Sequence, residues 1–363
     1  MAKGSSFFDP RSRVQAKKHP GVKSDDVLSF FEHMSTLLNA GVPLLRALTL
    51  ATEQTESVNF QKALRDVTKK VSGGSSFYEA AASYPQYFPN QAIQVIRTGE
   101  QSGQIAPLLA QLNISFKKHA AVAGKVKSAL IYPSIMMSVA VAAIVIMLWK
   151  VIPTFAQFFQ DFGKKLPAIT QLVLNASSFL QHYGIYLVLG ITAFVFAVRA
   201  YNKTESGSRQ LISMAMAMPL VGELLVQSAM EAFSSNMALL MKSGMPMMEA
   251  LGSTQKSFNE NPVYRDALGM IYHRVSTGSD LGSAMQATGL FTNLTVGMVK
   301  MGEESGKLSD VLDVVAVYYA DKVELMTLRL TSLMEPVIVI GMGVVVAFML
   351  GSVYLPMFQL SGG

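Results

Sequence analysis

One pattern is written twice in this chain. FFEHMSTLLNAGVPLLRAL, Phe30 to Leu48, aligns without a gap with FSSNMALLMKSGMPMMEAL, Phe233 to Leu251, at an offset of 203 residues. Phe30 pairs with Phe233, Met34 with Met237, Leu37 with Leu240, Gly41 with Gly244, Pro43 with Pro246 and Ala47 with Ala250. Further along, Phe88 pairs with Phe291, Gly99-Glu100 with Gly302-Glu303, Ser102-Gly103 with Ser305-Gly306, Pro133 with Pro336 and Pro153 with Pro356. Only around SGGSSFYEA and STGSDLGSA does the register slip by one. Self-similarity at one fixed period means that one supersecondary unit is used twice, and every other reading of the chain has to accommodate it.

The second constraint is lipid. Half of the 363 residues are hydrophobic, 15% are charged and the mean hydropathy is +0.34, which predicts segments buried in a membrane or a large interface. Three windows are long and apolar enough for a hydrocarbon layer that needs about 20 helical residues. They are 130–152, with Trp149 and Lys150 as interfacial anchors, 183–199, closed by Arg199, and 333–355. Lys and Arg number 16 in residues 1–129 and 10 in residues 200–330, whereas Lys164 and Lys165 stand alone within the loop between the first two spans. The excess of cations predicts that both large segments lie in the cytoplasm. The expected order is therefore a mobile N-terminal arm (1–23), helical domain one (24–129), span one (130–152), a periplasmic loop (153–182) and span two (183–199), then helical domain two (200–332), span three (333–355) and a periplasmic tail (356–363). Span two has no counterpart in the repeat. Two copies of equal direction need one extra helix to bring the chain back inside.

Within a copy the periodicity is helical. Phe30, Met34, Leu37 and Leu38 follow one helix face, and Gly41-Val42-Pro43 then ends one helix and starts the next. Ser75-Ser76 are expected to cap a short helix carrying Phe77, Ala80 and Ala81. Gly103 ends a further helix and the next begins near Pro107. The fold class expected is all-α: a polytopic membrane protein with two homologous six-helix cytoplasmic bundles and three transmembrane helices.

Chemistry finds little purchase. The absence of cysteine excludes disulfides, thiolate metal sites and a cysteine nucleophile. No phosphate-binding loop, dinucleotide fingerprint, HExxH or GxSxG is present. His19, His33, His119, His182 and His273 are scattered and none recurs between copies, so each reads as a solvated side chain. The net charge of +6 lies along segments where membrane proteins collect it, without the aromatic interleaving of a nucleic-acid surface. The Met-rich runs SMAMAMPL (Ser213 to Leu220) and GMPMMEAL (Gly244 to Leu251) read as core or membrane-skirting helix. The N-terminal sequence has no apolar run of a signal peptide. No catalytic residue, cofactor or metal ligand is assigned.

The polar residues kept in both copies, Glu100 and Glu303, invite the question of whether RTGEQSG is an active-site loop. Occurring twice, at the same helix junction, it reads instead as a structural turn in which side-chain oxygens satisfy free N–H groups at the next helix start. The candidate structural or partner-contact residues are Gly41, Pro43, Gly99, Glu100, Ser102, Gly103, Pro133 and Pro153 in copy one. In copy two they are Gly244, Pro246, Gly302, Glu303, Ser305, Gly306, Pro336 and Pro356.

LLNAGVPLLRAL with LLMKSGMPMMEAL, the paired GExSG, Tyr132-Pro133 with Glu335-Pro336, and VIPTF followed by LPAIT together resemble the inner-membrane platform protein of type IV pilus and type II secretion machines, the PilC/GspF family. The resemblance covers about Asp25 to Phe358. It implies a non-enzymatic, homo-oligomeric protein of the bacterial inner membrane, surrounded by lipid, with its N-terminus in the cytoplasm. It further implies contact with a hexameric secretion or pilus ATPase, with pilin or pseudopilin, and with an inner-membrane alignment complex, and none with nucleic acid. Against it stands a small-solute transporter or channel, which the lack of charge at the span centres disfavours. A membrane-bound hydrolase using Glu100 or Glu303 is the third reading.

Overall fold

The computed structural model describes residues 24–154 and 168–361. The arm 1–23, Lys164-Lys165 of the outer loop and the last two tail residues lie outside the described residues. The described residues form helices joined by short turns, with no strand among them.

Copy one supplies α1 (Ser24–Asn39), α2 (Leu44–Glu53), α3 (Val58–Ser72), α4 (Phe77–Ala82), α5 (Asn90–Ser102) and α6 (Ile105–Ile146), the last followed by a π-helical turn, Met147–Val151. Two helices without counterparts come next, α7 (Ala168–Asn202) and α8 (Glu205–Ala217). Copy two repeats the series as α9 (Val221–Lys242), α10 (Met247–Ser257), α11 (Pro262–Ser276), α12 (Leu281–Gln286), α13 (Asn293–Ser305) and α14 (Leu308–Ser361). The expected six helices per copy are present, and the sixth of each runs on as the spanning helix.

The structure places the one-residue slip more widely than the sequence alignment does. Helix α10 has 11 residues where α2 has 10, and the turn from α12 to α13 takes back the extra residue. Across the third and fourth helices the equivalent pairs are thus Phe60 with Tyr264, Leu64 with Leu268, Val67 with Ile271 and Phe77 with Leu281.

Two compact units divide the chain. One comprises residues 24–120 and 229–318, which hold the first five helices of copy one and, from residue 229 onward, those of copy two; the other comprises 121–228 and 319–363. In the first unit, apolar residues at helical spacing turn inward because burial of each large side chain contributes about 1.5–3 kcal/mol. Phe30, Phe31, Phe60, Phe77 and Phe88 are all fully buried, meeting mostly edge to face at centroid distances from 5.3 to 6.4 Å. Edge-to-face pairs add about 0.5–1.5 kcal/mol each. Copy two keeps Phe233, Tyr264 and Phe291 in this place, has Ser234 and Leu281 at the positions of Phe31 and Phe77, and buries Met230, Met237 and Met285 as well. The Tyr264 hydroxyl is satisfied by the Leu290 carbonyl at 3.1 Å.

The copies meet inside this unit. Helix α5 packs against α10, where Asn90 Nδ2 donates to Ser253 Oγ at 2.9 Å. Near the start of copy two, His119 of α6 lies with Nδ1 at 3.4 Å from Glu231 Oε1 and with Nε2 at 3.1 Å from Ser235 Oγ. His119 is thus partly enclosed rather than solvated, because copy two's first helix covers it. Burial pushes the Glu231 carboxyl up to about 7, while burial and the neighbouring Lys118 push His119 down. Both shifts favour the uncharged form of each group.

Among the described residues, three helices are long and apolar enough to cross a membrane: those containing residues 105–154, 170–202 and 308–352. Lys117, Lys118, Lys125 and Lys127 precede the apolar stretch of the first. Lys125 Nζ meets Glu324 Oε2 at 2.6 Å, joining α6 to α14. The π-helical turn loosens the backbone ladder of span one. Its Leu148 carbonyl accepts from Ser177 Oγ and its Trp149 carbonyl from Gln181 Nε2 at 3.1 Å. Thr170 Oγ1 donates to the Ser352 carbonyl at 2.8 Å, fastening α7 to α14. Lipid offers no substitute partner for such groups, so neighbouring helices must supply them.

The neutral pair sets a test. A carboxyl whose folded value lies above its unfolded value of 4.5 contributes stability while protonated, and that stability is lost as pH rises through 7. Glu231→Gln, fixed in the neutral form, should therefore gain stability relative to wild type between pH 4.5 and 7, by about 3 kcal/mol at most. Thermal melts of both proteins in detergent across that range check it; a constant gap would refute the raised Glu231 value.

Candidate functional site

The repeated GExSG turn is the most constrained polar feature shared by the copies. Helices α4 and α12 are each six residues long. So short a helix has four N–H groups without internal partners and almost no propagation to offset its nucleation. The expected cap, Ser76, occupies the right position but makes no capping bond, and its Oγ is buried without a partner. Glu100 takes its place from across the bundle. Its Oε1 accepts from Phe77 N at 2.6 Å and its Oε2 from Tyr78 N at 2.9 Å. In copy two, Glu303 Oε1 accepts from Leu281 N at 2.7 Å and Oε2 from Gly282 N at 2.9 Å. Asp280 adds a local cap to Ser283 N at 2.8 Å. A carboxylate at a helix N-terminus also meets the positive end of the macrodipole.

The carboxylate therefore serves the preceding short helix, not the next one as the sequence reading expects. The next helix is held by glycine instead. Gly99 and Gly302 are buried; a Cβ on Gly99 would lie 2.9 Å from Ile105 Cα, and one on Gly302 would lie 3.0 Å from Leu308 Cα. No side chain fits between the fifth helix and the start of the sixth. Gly103 and Gly306 then reverse the chain at φ +71° and +68°, a left-handed C-terminal turn that glycine adopts without strain. Ser102 Oγ donates to the Thr98 carbonyl, and Ser305 Oγ to the Met301 carbonyl, at 2.8 and 2.7 Å. Four residues thus fasten the fourth, fifth and sixth helices at one point.

The other repeated residues lie elsewhere. Gly41 and Gly244 turn the chain at φ +81° and +87°, and Pro43 and Pro246 occupy the N-cap positions of α2 and α10. Pro133 and Pro336 stand inside continuous α6 and α14. Pro153 follows the π-helical turn, and Pro356 does not end α14, which runs to Ser361. A proline removes one N–H from a long helix, which the rest of the ladder tolerates in lipid. The Met runs divide. Met245 is core, but Met214 and Met218 are exposed on and after α8, so that run covers no core of its own chain.

Ser235, His119 and Glu231 line up as a hydroxyl, an imidazole and a carboxyl, yet Ser235 is in the middle of α9, whose N–H groups are spent in the helix and cannot hold an oxyanion. No group of three or more His, Asp or Glu side chains suited to a metal ion occurs among the described residues.

Removing the capping carboxylate should loosen the bundle. Glu303→Ala is expected to cost about 2–3 kcal/mol, the value of hydrogen bonds to a charged group, and Glu100→Ala a similar amount, with additive losses because the two joints share no partner. Gly302→Val should cost at least as much, since the helix start must shift. Denaturation melts of the single and double variants check this, and full stability in Glu303→Ala would remove the carboxylate from its structural role.

Comparison with known proteins meets the duplication directly. The model of the family described as type II secretion system (T2SS), protein F matches twice, over residues 30–153 and 233–356. The chain is 34% identical over 340 residues to the type IV pilus assembly protein PilC of Pseudomonas aeruginosa, covering 93% of this chain and 91% of that protein. It is 31% identical over 342 residues to PilC of Myxococcus xanthus, covering 94% and 82%. With the type II secretion system protein F of Pseudomonas aeruginosa it shares 27% over 341 residues, covering 94% and 84%. Two family matches in tandem and alignments of nearly the whole length place this chain in the type II secretion system protein F family.

Proposed function

We propose that this chain is the inner-membrane platform of a type IV pilus machine. The observation that carries the reading is the near-complete alignment with proteins named for pilus assembly. Identities of 31–34% to three pilus assembly proteins, against 26–27% to two secretion proteins, favour the pilus side. The transporter reading draws no support from these names.

In this role the chain does no chemistry of its own. A hexameric cytoplasmic ATPase turns over nucleotide and moves, and the two helical bundles receive that motion. Bundles fastened at Glu100 and Glu303 pass a displacement on without deforming, and α6 and α14 lead from the joints into the apolar spans. There the chain meets pilin helices by packing, which in lipid depends on small residues that admit a close neighbour. Gly341 and Gly343 have open space at their Cβ positions, and Ser134 and Ser138 line a cleft with Pro133, Met137, Val141 and Met334. The platform self-associates beneath the fibre, contacts the alignment complex, and keeps both bundles and its N-terminus in the cytoplasm, as the distribution of Lys and Arg supports.

A clean deletion should abolish surface fibres while the purified motor retains its ATPase activity, and the wild-type gene should restore them. Cross-linking and co-purification in detergent should bring down the motor and a pilin. Normal fibres in the deletion strain would sink the proposal.

A further inference from the structure

The contact between the two copies has an unused twin. Within the chain, α5 of copy one packs on α10 of copy two, with Asn90 Nδ2 bonded to the Ser253 hydroxyl at 2.9 Å and to its carbonyl at 3.3 Å. These helices are not counterparts: α5 corresponds to α13, and α10 corresponds to α2. A contact between unlike faces of two like domains is head-to-tail, so it uses one face of each copy and repeats the other face elsewhere.

In the second set, the α13 face is open. Gln91, beside Asn90, is 7% exposed, whereas its counterpart Leu294 is 44% exposed and Met301, the counterpart of Thr98, is 55% exposed. Asn293, the counterpart of Asn90, is exposed as well. Gly297 lies one turn beyond Asn293 on the same face, and a Cβ there would touch nothing within 4 Å. The same helix in the same fold is covered in one copy and bare in the other: copy one has α10 against it, whereas among the described residues Leu294 and Met301 stay exposed in copy two. The chemistry changes in step. Where α5 has Gln91 and Thr98 and α10 has Ser253, their counterparts are Leu294 and Met301, both exposed, and on α2 the half-buried Leu50. Apolar side chains gathered on one exposed face mark a contact surface.

We propose that the open α13 face of one molecule receives the α2 face of a second copy of this chain, repeating the internal contact between molecules. This rests on the self-association proposed above and specifies its geometry: a heterologous contact, in which the two molecules contribute different faces. Asn293 of one molecule stands against Leu50 of the next, as Asn90 stands against Ser253 within the chain. Such contacts close into a ring or extend as an open row.

The chain has no cysteine, so introduced thiols report this contact alone. Full-length Leu50→Cys and Asn293→Cys proteins, carrying different tags and co-expressed in membranes, should give a mixed product of twice the chain mass with a short bis-maleimide. Either variant alone should give none, and the double variant should give a ladder or a ring. Adding Leu294→Arg to the Asn293→Cys protein should reduce the mixed product at least tenfold without lowering its melting temperature. If light scattering in detergent shows an oligomer but the mixed product is absent, this contact is wrong and self-association stands. A monomer with no product removes both, and Asn293→Cys linking to itself would mean a two-fold contact and overturn the proposal.

Discussion

Two carboxylates hold the rest of the architecture in place. A six-residue helix cannot keep its own first turn together in water, and neither α4 nor α12 has enough length to try. Glu100 and Glu303 lend each of these helices two acceptors at 2.6–2.9 Å, and they do so from a helix that glycine presses against its successor. Capping, close approach and chain reversal fall within five consecutive residues. The aromatic core beneath, with Phe77 and Phe88 in contact, depends on α4 staying helical, because Phe77 is the first residue of that helix.

Copy two reaches the same geometry with different packing. Phe31 has Ser234 as its counterpart, fully buried and with its hydroxyl unpartnered, and the larger Met285 is fully buried where copy one has Ala81. Methionine adapts to irregular space more readily than a ring does. Asp280 gives α12 a second cap that α4 lacks. The joint is held in common together with Phe30/Phe233, Met34/Met237 and Phe88/Phe291 of the core, while other interior positions vary.

Much of this is legible in the sequence, and what is not has a common cause. The repeat, the three apolar stretches and the helix ends at Gly41, Gly103, Gly244 and Gly306 follow from spacing and from the conformations glycine permits. The partner of Glu100 does not, because it lies 23 residues away in the chain and nothing local distinguishes a carboxylate aimed at a remote helix from one capping its neighbour. His119 reads as solvated for the same reason. It does not recur between copies, and its companions Glu231 and Ser235 come from the other copy. Prolines 133 and 336 suggest boundaries by local rule, yet the helices run through them, since long apolar helices in lipid have no better conformation available. Interactions within a few residues are written in the local pattern; those made by tertiary contact need the fold.

The paired length change between the copies carries a consequence of its own. One added residue turns an α-helix by about 100° and lengthens it by about 1.5 Å, so the longer α10 would rotate everything after it out of phase. The shorter turn before α13 cancels that displacement ahead of Gly302 and Glu303. Insertion and deletion are tolerated on α10 and in the turn after α12 as a matched pair, while the helical phase arriving at the joint is conserved. Drift in length has therefore been confined to a window bounded by two fixed phases, and the two copies keep time with each other at the residues where three helices are tied.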